Sequence, residues 1–175
     1  MSHARIVAAK QRLIAAGLAV SDTVRGCSEK EIAQLEADTC RPLPPAYRDF
    51  LSELGQSAGE FLRGTNWTYA ELRALQVPAV QLLKSGNEQA VLPANSFVFA
   101  MHQGYQFLYF LTVNMDNDPP VFYYTEDPDL ESLMPQRKFE HLSEFLTIFI
   151  ADARNRHAQE AFLARWKRKA ATNPT

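Results

Sequence analysis

One histidine lies in an aromatic stretch where a catalytic group could be placed. Residues 97–112, FVFAMHQGYQFLYFLT, hold six aromatic side chains around His102 and Gly104. A catalytic histidine needs an orienting acceptor and a nucleophile within about 3 Å, and Cys40 or a nearby carboxylate is the partner that the sequence offers. A lone histidine beside a hairpin turn is more often a surface or hydrogen-bonded structural residue. We therefore predict no catalytic residue and keep a small enzyme using His102 as an alternative.

A second group of chemically interesting side chains follows further along the chain. Asp127, Asp129 and Glu131 alternate in the way that calcium ligands sometimes do. An EF-hand loop also needs a glycine at its sixth position and a distal bidentate glutamate, and Pro128 and Leu130 do not fit that pattern. The sequence contains no G-x-G-x-x-G, P-loop or G-x-S-x-G motif. We therefore predict neither a metal site nor a cofactor.

The charges are distributed unevenly along the chain. From residue 89 to residue 136 there is no lysine or arginine, although residues 1–88 hold ten basic and ten acidic side chains. The lysine-free and arginine-free stretch carries six carboxylates: Asp116, Asp118, Glu126, Asp127, Asp129 and Glu131. The aromatic centre of the protein is thus also its acidic part.

Several features predict a cytoplasmic protein that contacts neither a membrane nor nucleic acid directly. Arg5, Lys10 and Arg12 interrupt the stretch where a signal peptide needs about 7 to 15 apolar residues. A membrane span needs about 18 to 20 uninterrupted apolar residues. In the aromatic stretch, His102 and the polar residues after it end the apolar run after five residues. Cys27 and Cys40 match no C-x-x-C motif. The basic residues near Trp166 are explained by the helix dipole, which favours cations at a helix C-terminus.

The elements that must position these residues begin with helices. Residues 4–17 show helical apolar spacing and predict a first, peripheral helix. Ser28 with Glu31, and Thr68 with Glu71, have the spacing of capping boxes that begin two further helices. The helix after Thr68 should be broken near Val77, because Pro78 lacks the N–H that a helix interior needs.

The segment RPLPPAYRDFLSELG predicts a helix with one buried face. Pro45 fits the first helical turn, and Gly55 fits a left-handed C-terminal position. The apolar stripe is formed by residues at positions i, i+3, i+4 and i+7, namely Tyr47, Phe50, Leu51 and Leu54. The next stretch, GEFLRGTNW, indicates a flexible connection or a short irregular strand.

After these helices the apolar period changes from about 3.6 to about 2 residues. SFVFAMH, YQFLYFLTV and VFYYT predict three strands, with a tight reversal at Gln103 and Gly104. From Ser143 the helical period returns and continues past Trp166. We therefore predict an α+β fold. Its small, mainly antiparallel sheet, a meander in residues 97–125, is backed by helices, with an extra N-terminal helix and a long C-terminal helix.

At this point the residues resemble a known family. The run IAQLEADTCRPLPPAYRDFLSELG is similar to the opening signature of the SUKH superfamily of Smi/Knr-type domains, at Ile32, Leu35, Glu36, Leu43, Pro44, Tyr47, Phe50 and Leu51. The aromatic hairpin, PPVFYYTEDPD and HLSEFL extend the resemblance over about residues 28–152. We expect an N-terminal helical extension at residues 1–27, a single α+β domain at 28–168 and a short basic and polar tail at 169–175.

The resemblance implies a binding protein rather than an enzyme, because bacterial members are thought to bind and neutralise toxin domains. The expected partner is a cognate toxin domain, such as a basic nuclease or deaminase, and the expected state is a monomer or weak homodimer. The predicted partner-binding residues are Asp116, Asp118, Tyr123, Tyr124, Glu126, Asp127, Asp129 and Glu131. One alternative is a regulatory scaffold domain with several partners. Another is that the aromatic residues are all core and the acidic loops only solvate the sheet.

Overall fold

The computed structural model describes residues 2–15, 17–86, 90–112, 116–126 and 136–151. The helices are α1 (Ser2–Ala15), α2 (Glu29–Thr39), α3 (Pro45–Leu54), α4 (Tyr69–Leu72), α5 (Gln76–Gly86) and α6 (Leu142–Ala151), with a 3₁₀ turn at Ser21–Thr23. The strands are β1 (Thr65–Asn66), β2 (Ser96–His102), β3 (Gln106–Leu111), β4 (Val121–Thr125) and β5 (Gln136–Phe139). The α+β class is confirmed.

The strands form one antiparallel sheet in chain order, β1-β2-β3-β4-β5. The predicted meander corresponds to β2, β3 and β4, and β1 and β5 add an edge strand on either side. The turn between β2 and β3 contains Gln103, with φ 46°, and Gly104, with φ 79°. Both residues adopt the left-handed conformation that a tight hairpin turn requires, so the predicted reversal is confirmed.

The core lies between one face of the sheet and the helices α3 and α6. Tyr47 of α3 contacts Phe97, Phe99 and Phe110, with ring centroids 5.2 to 5.8 Å apart. Phe145 of α6 packs edge-on against Phe99 at 5.4 Å. Such aromatic pairs contribute about 0.5–1.5 kcal/mol beyond the area they bury. The stripe predicted for α3 is therefore the side that holds this helix on the sheet.

Helix α1 was expected to be peripheral, and that prediction is wrong. It packs against α3 and α6, and Ile6, Ala9 and Leu13 are at most 2 % exposed. Lys10 Nζ also donates to Glu53 Oε2 of α3 at 3.0 Å. The apolar residues of a short amphipathic helix are stabilised by burial rather than by helix propensity. This helix therefore contributes to the core.

The predicted helix starts are confirmed, but two details differ. Both capping boxes form, at Ser28 with Glu31 and at Thr68 with Glu71. The break that was expected near Val77 falls at residues 73–75, before α5. Pro78 instead occupies the first turn of α5, where a helix leaves its N–H groups without intrahelical partners.

Gly55 was expected to be left-handed, and this is also wrong. Its φ of −62° and ψ of −24° are right-handed helical values. A Cβ atom at this position would lie 2.7 Å from Cys27 Sγ and 2.7 Å from Leu51 O. Close packing of the chain, and not a left-handed cap, therefore requires glycine here.

Two further predictions concern the strand β1 and the C-terminal helix. The short irregular strand expected in GEFLRGTNW is β1, which pairs with Met101 and His102 of β2. The long C-terminal helix begins as α6, but its continuation past Ala151 lies outside the described residues. Within the described ranges, no helix combines the length and the hydrophobicity that crossing a membrane requires.

Candidate partner-binding surface

The segment before β4 is fixed by hydrogen bonds to two helices. Asp118 Oδ1 accepts the backbone N–H of Ser143 at 2.7 Å, and its Oδ2 accepts the Ser143 hydroxyl. Asp116 Oδ1 accepts the N–H of Asp118 at 3.0 Å, and Ala46 of α3 donates its N–H to Asn117 O at 3.1 Å. A carboxylate that accepts an N–H in the first turn of a helix satisfies a free donor and interacts favourably with the helix dipole. Asp118 therefore caps α6.

A different set of contacts holds the segment after β4. Glu126 Oε1 accepts the hydroxyl of Ser85, near the end of α5, at 2.8 Å. The N–H of Glu126 donates to Tyr105 O in the β2–β3 turn at 3.0 Å. These contacts place the Glu126 carboxylate beside the hairpin turn at the far end of β4.

The structure does not bring these carboxylates together. Asp118 precedes β4 and Glu126 follows it, and the five residues of β4 extend over about 17 Å at the usual rise of a strand. The described acidic residues thus occupy two separate positions at opposite ends of one strand. Asp127, Asp129 and Glu131 lie outside the described residues. In the sequence they follow Glu126.

Within the described part of the chain, no cation pairs with these three carboxylates. Asp116, Asp118 and Glu126 each accept N–H or hydroxyl donors through at least one oxygen. The nearest basic residues along the chain, on β5, make other contacts. Arg137 pairs with Glu140, and Lys138 Nζ lies 5.3 Å from the ring centroid of Tyr123. Asp116, Asp118 and Glu126 therefore have no ion-pair partner among the described residues.

The tyrosines on or beside β3 and β4, which include Tyr123 and Tyr124 of the predicted partner-binding set, differ in exposure. Tyr124 is only 2 % exposed and stacks on Phe107 at 5.3 Å. Burial, together with the nearby charge of Glu126, raises the pKa of Tyr124. Tyr109 is also buried, and burial raises its pKa to about 12. Tyr105 and Tyr123 are half-buried. The burial of Tyr124 argues against this residue as an anchor and leaves Tyr105 and Tyr123.

His102, the alternative catalytic residue, is 7 % exposed at the end of β2. Its Nδ1 lies 2.9 Å from Thr65 Oγ1, and its ring meets Tyr105 edge-on at 5.5 Å. Cys40, the partner considered from the sequence, instead follows α2 and contacts Ala37 O. Across the described ranges there is no cluster of three histidine, cysteine, aspartate or glutamate side chains that could hold a metal ion. The contact between His102 and Thr65 is typical of a structural histidine.

Two other roles were not predicted from the sequence. Asp118 caps a helix that begins 24 residues later, and Glu126 bonds a serine 41 residues earlier. No local pattern predicts contacts across such separations.

These features define a class of protein: an α+β domain with a five-stranded antiparallel meander packed against helices. Residues 26–148 match the model of the SMI1 / KNR4 family (SUKH-1), and the chain belongs to this family. The match begins just before α2 and ends within α6, so α1 lies outside it. No curated protein matches the chain.

Proposed function

We propose that this protein is an immunity-type binding protein, which neutralises a cognate toxin domain by protein–protein contact. The family match supports binding of this general kind. The observation that carries the proposal is the Glu126 carboxylate, which is held by Ser85 and has no ion-pair partner among the described residues. In the sequence it is followed by Asp127, Asp129 and Glu131. We name this stretch, residues 126–131, the acidic segment.

A concentrated negative charge would favour a basic partner. Toxin domains that act on nucleic acid, such as nucleases and deaminases, carry positive surfaces, and complementary charge raises the rate of encounter by about 10-fold to 1,000-fold. Such charges affect specificity and association more than they affect the final affinity. The acidic segment would therefore direct the toxin domain to the side of the molecule that carries Glu126.

Affinity would then come from side chains that are buried on contact. Tyr105 is adjacent to Glu126 through a backbone hydrogen bond, and Tyr123 is half-buried on the same strand as Tyr124. Tyrosine is enriched among the few residues that carry most of the energy of an interface. We propose Tyr105 as the first anchor, because its carbonyl accepts the N–H of Glu126.

The test begins with co-expression of the toxin domain encoded in a neighbouring reading frame. We expect growth to be rescued by the native protein. Association rates are then measured at low and high ionic strength for Glu126→Gln combined with Asp127→Asn and Asp129→Asn. We expect this variant to associate about 10-fold more slowly at low salt, with a much smaller loss at high salt.

A matched control is available in Asp22→Asn, which removes an exposed carboxylate on a different element. It should leave the association rate unchanged. Equal rates for all three proteins would remove the electrostatic argument. Failure of every neighbouring toxin domain to be neutralised would contradict the immunity function itself.

A regulatory domain with several partners is the second candidate, because the same family match supports it. It predicts that a pull-down returns many proteins and that none of them is toxic when expressed alone. A single toxic partner would favour the first candidate.

A further inference from the structure

A groove lies between the end of α2, the first half of α5 and the extended segment at residues 92–94. Its volume is about 330 Å³, within the range of about 300–1,000 Å³ that is usual for ligand sites. Residues of α5 from Gln76 to Gln81 line it, whereas Glu126 bonds Ser85 near the opposite end of the same helix. The groove is therefore separate from the site of the Glu126 carboxylate.

One wall of the groove carries a fixed positive charge. The guanidinium of Arg41 donates from Nη1 to Thr39 O and from Nη2 to Ala94 O, each at 2.9 Å. Two bonds to backbone carbonyls hold the planar group in one orientation, but carbonyls do not cancel its charge. None of the described residues that line the groove is acidic. The positive charge of Arg41 is therefore uncompensated within the groove.

Two lining residues also have hydrogen-bond donors without acceptors. Arg41 Nε and Gln76 Nε2 are both buried, and neither makes a hydrogen bond to another described residue. Buried donors are nearly always paired in folded proteins, so unpaired ones need an explanation. Both of these groups are donors, and a carboxylate is the acceptor that also complements the charge of Arg41.

Apart from Gln81, the remaining lining is apolar, and it is partly open to solvent. Val77 is 66 % exposed, and Val80, Leu92, Pro93 and Ala94 complete this side. Val77 therefore extends the apolar lining to the rim of the groove. The volume is larger than a lone carboxylate group would fill.

From these observations we propose that the groove binds a short acidic peptide segment of another protein. A carboxylate of the peptide pairs with Arg41, and a rotation of the Gln76 side chain lets it also accept from Nε2, which is buried in the free protein. An adjacent apolar side chain covers Val77, Val80 and Leu92. This inference is independent of the function proposed for the acidic segment.

The experiment uses the full chain labelled with ¹⁵N and two capped hexapeptides, one alternating glutamate and leucine and one alternating glutamine and leucine. We expect amide shifts at Arg41, in the first half of α5 and at residues 92–94 with the glutamate peptide. The glutamine peptide should bind at least about 10-fold more weakly, because it lacks the charge that pairs with arginine.

Val77→Asp places a negative charge at the rim of the groove, at an exposed position in the first turn of α5 where aspartate is well tolerated. Its matched control is Val20→Asp, because Val20 is 65 % exposed and does not line the groove. We expect Val77→Asp to weaken binding of the glutamate peptide at least about 10-fold and Val20→Asp to leave it unchanged.

Three results would overturn the proposal: no shifts at millimolar peptide, shifts mapped elsewhere, or equal binding of the two peptides. Capped glutamate alone should not reproduce the shifts at the same concentration. If it did, the groove would be a site for small anions and not for a peptide.

Discussion

Replacing Asp118 by alanine should destabilise the protein although the residue lies in a loop. Its carboxylate accepts both the N–H and the hydroxyl of Ser143 in the first turn of α6. Ser143 is 1 % exposed, so water cannot readily replace the lost acceptor. The substitution therefore removes a helix cap and leaves buried donors without their carboxylate partner.

The expected magnitude follows from these two effects. Loss of a capping side chain costs about 0.5–2 kcal/mol, and leaving a buried donor unsatisfied costs about 1–3 kcal/mol. The two costs describe overlapping contacts, so we expect a loss of about 2 kcal/mol in total. At about 2–4 °C per kcal/mol for a chain of this size, the melting temperature should fall by about 4–8 °C.

The measurement is urea unfolding followed by circular dichroism, for Asp118→Ala, Asp118→Asn and Asp116→Ala. Asparagine keeps one acceptor oxygen and should cost about half as much as alanine. Asp116 is exposed, and among the described residues its carboxylate accepts a hydrogen bond only from the N–H of Asp118. Asp116→Ala should therefore change the free energy of unfolding by no more than about 0.5 kcal/mol. Equal midpoints for Asp118→Ala and Asp116→Ala would refute the capping role.

Three further predictions concern stability. Hydrogen bonds from the backbone N–H and hydroxyl of Ser28 lower the pKa of Glu31. The stabilisation that Glu31 contributes is therefore complete above its pKa in the unfolded chain, about 4.3. It is lost as the pH falls towards the lower pKa of Glu31 in the folded protein. Urea titrations should show that Glu31→Gln differs from the native protein more at neutral pH than at about pH 3.

The Tyr47 hydroxyl is buried and has no hydrogen-bond acceptor among the described residues. Tyr47→Phe should therefore raise the free energy of unfolding by about 1 kcal/mol in the same assay. Gly55→Ala should lower it by about 1–3 kcal/mol, because the new Cβ would lie 2.7 Å from Cys27 Sγ. The hydrogen bonds of Glu31 would be contradicted if the effect of Glu31→Gln on the free energy of unfolding did not change with pH. A lower free energy of unfolding for Tyr47→Phe would contradict the unsatisfied hydroxyl. An unchanged one for Gly55→Ala would contradict the close packing at Gly55.

Sequence patterns predicted the structure well where the interactions are local. The capping boxes at Ser28 and Thr68 formed as expected, because each joins residues three positions apart and needs no other element. The stripe with Tyr47 and Phe50 is buried because helical geometry alone places its members on one side. The family signature depends on these same residues, so the fold class could also be predicted.

The candidate surface could be predicted only in part. Alternation along a strand places Tyr123 and Tyr124 on opposite faces, but which face is covered depends on helices from distant parts of the chain. Asp118 and Glu126 are acidic in the sequence, yet only the fold shows that β4 separates them. Gly55 has the position of a helix cap, and its true role depends on Cys27, which another segment supplies.

The placement of α1 has a consequence for how this family should be delimited. A polypeptide trimmed to the matched residues 26–148 would lose the partners of the apolar surfaces on α3 and α6 that Ile6 and Leu13 now cover. We therefore expect the folding unit of this molecule to include α1, which the matched residues leave out. Transplanting the matched segment into another protein would require a substitute for that helix.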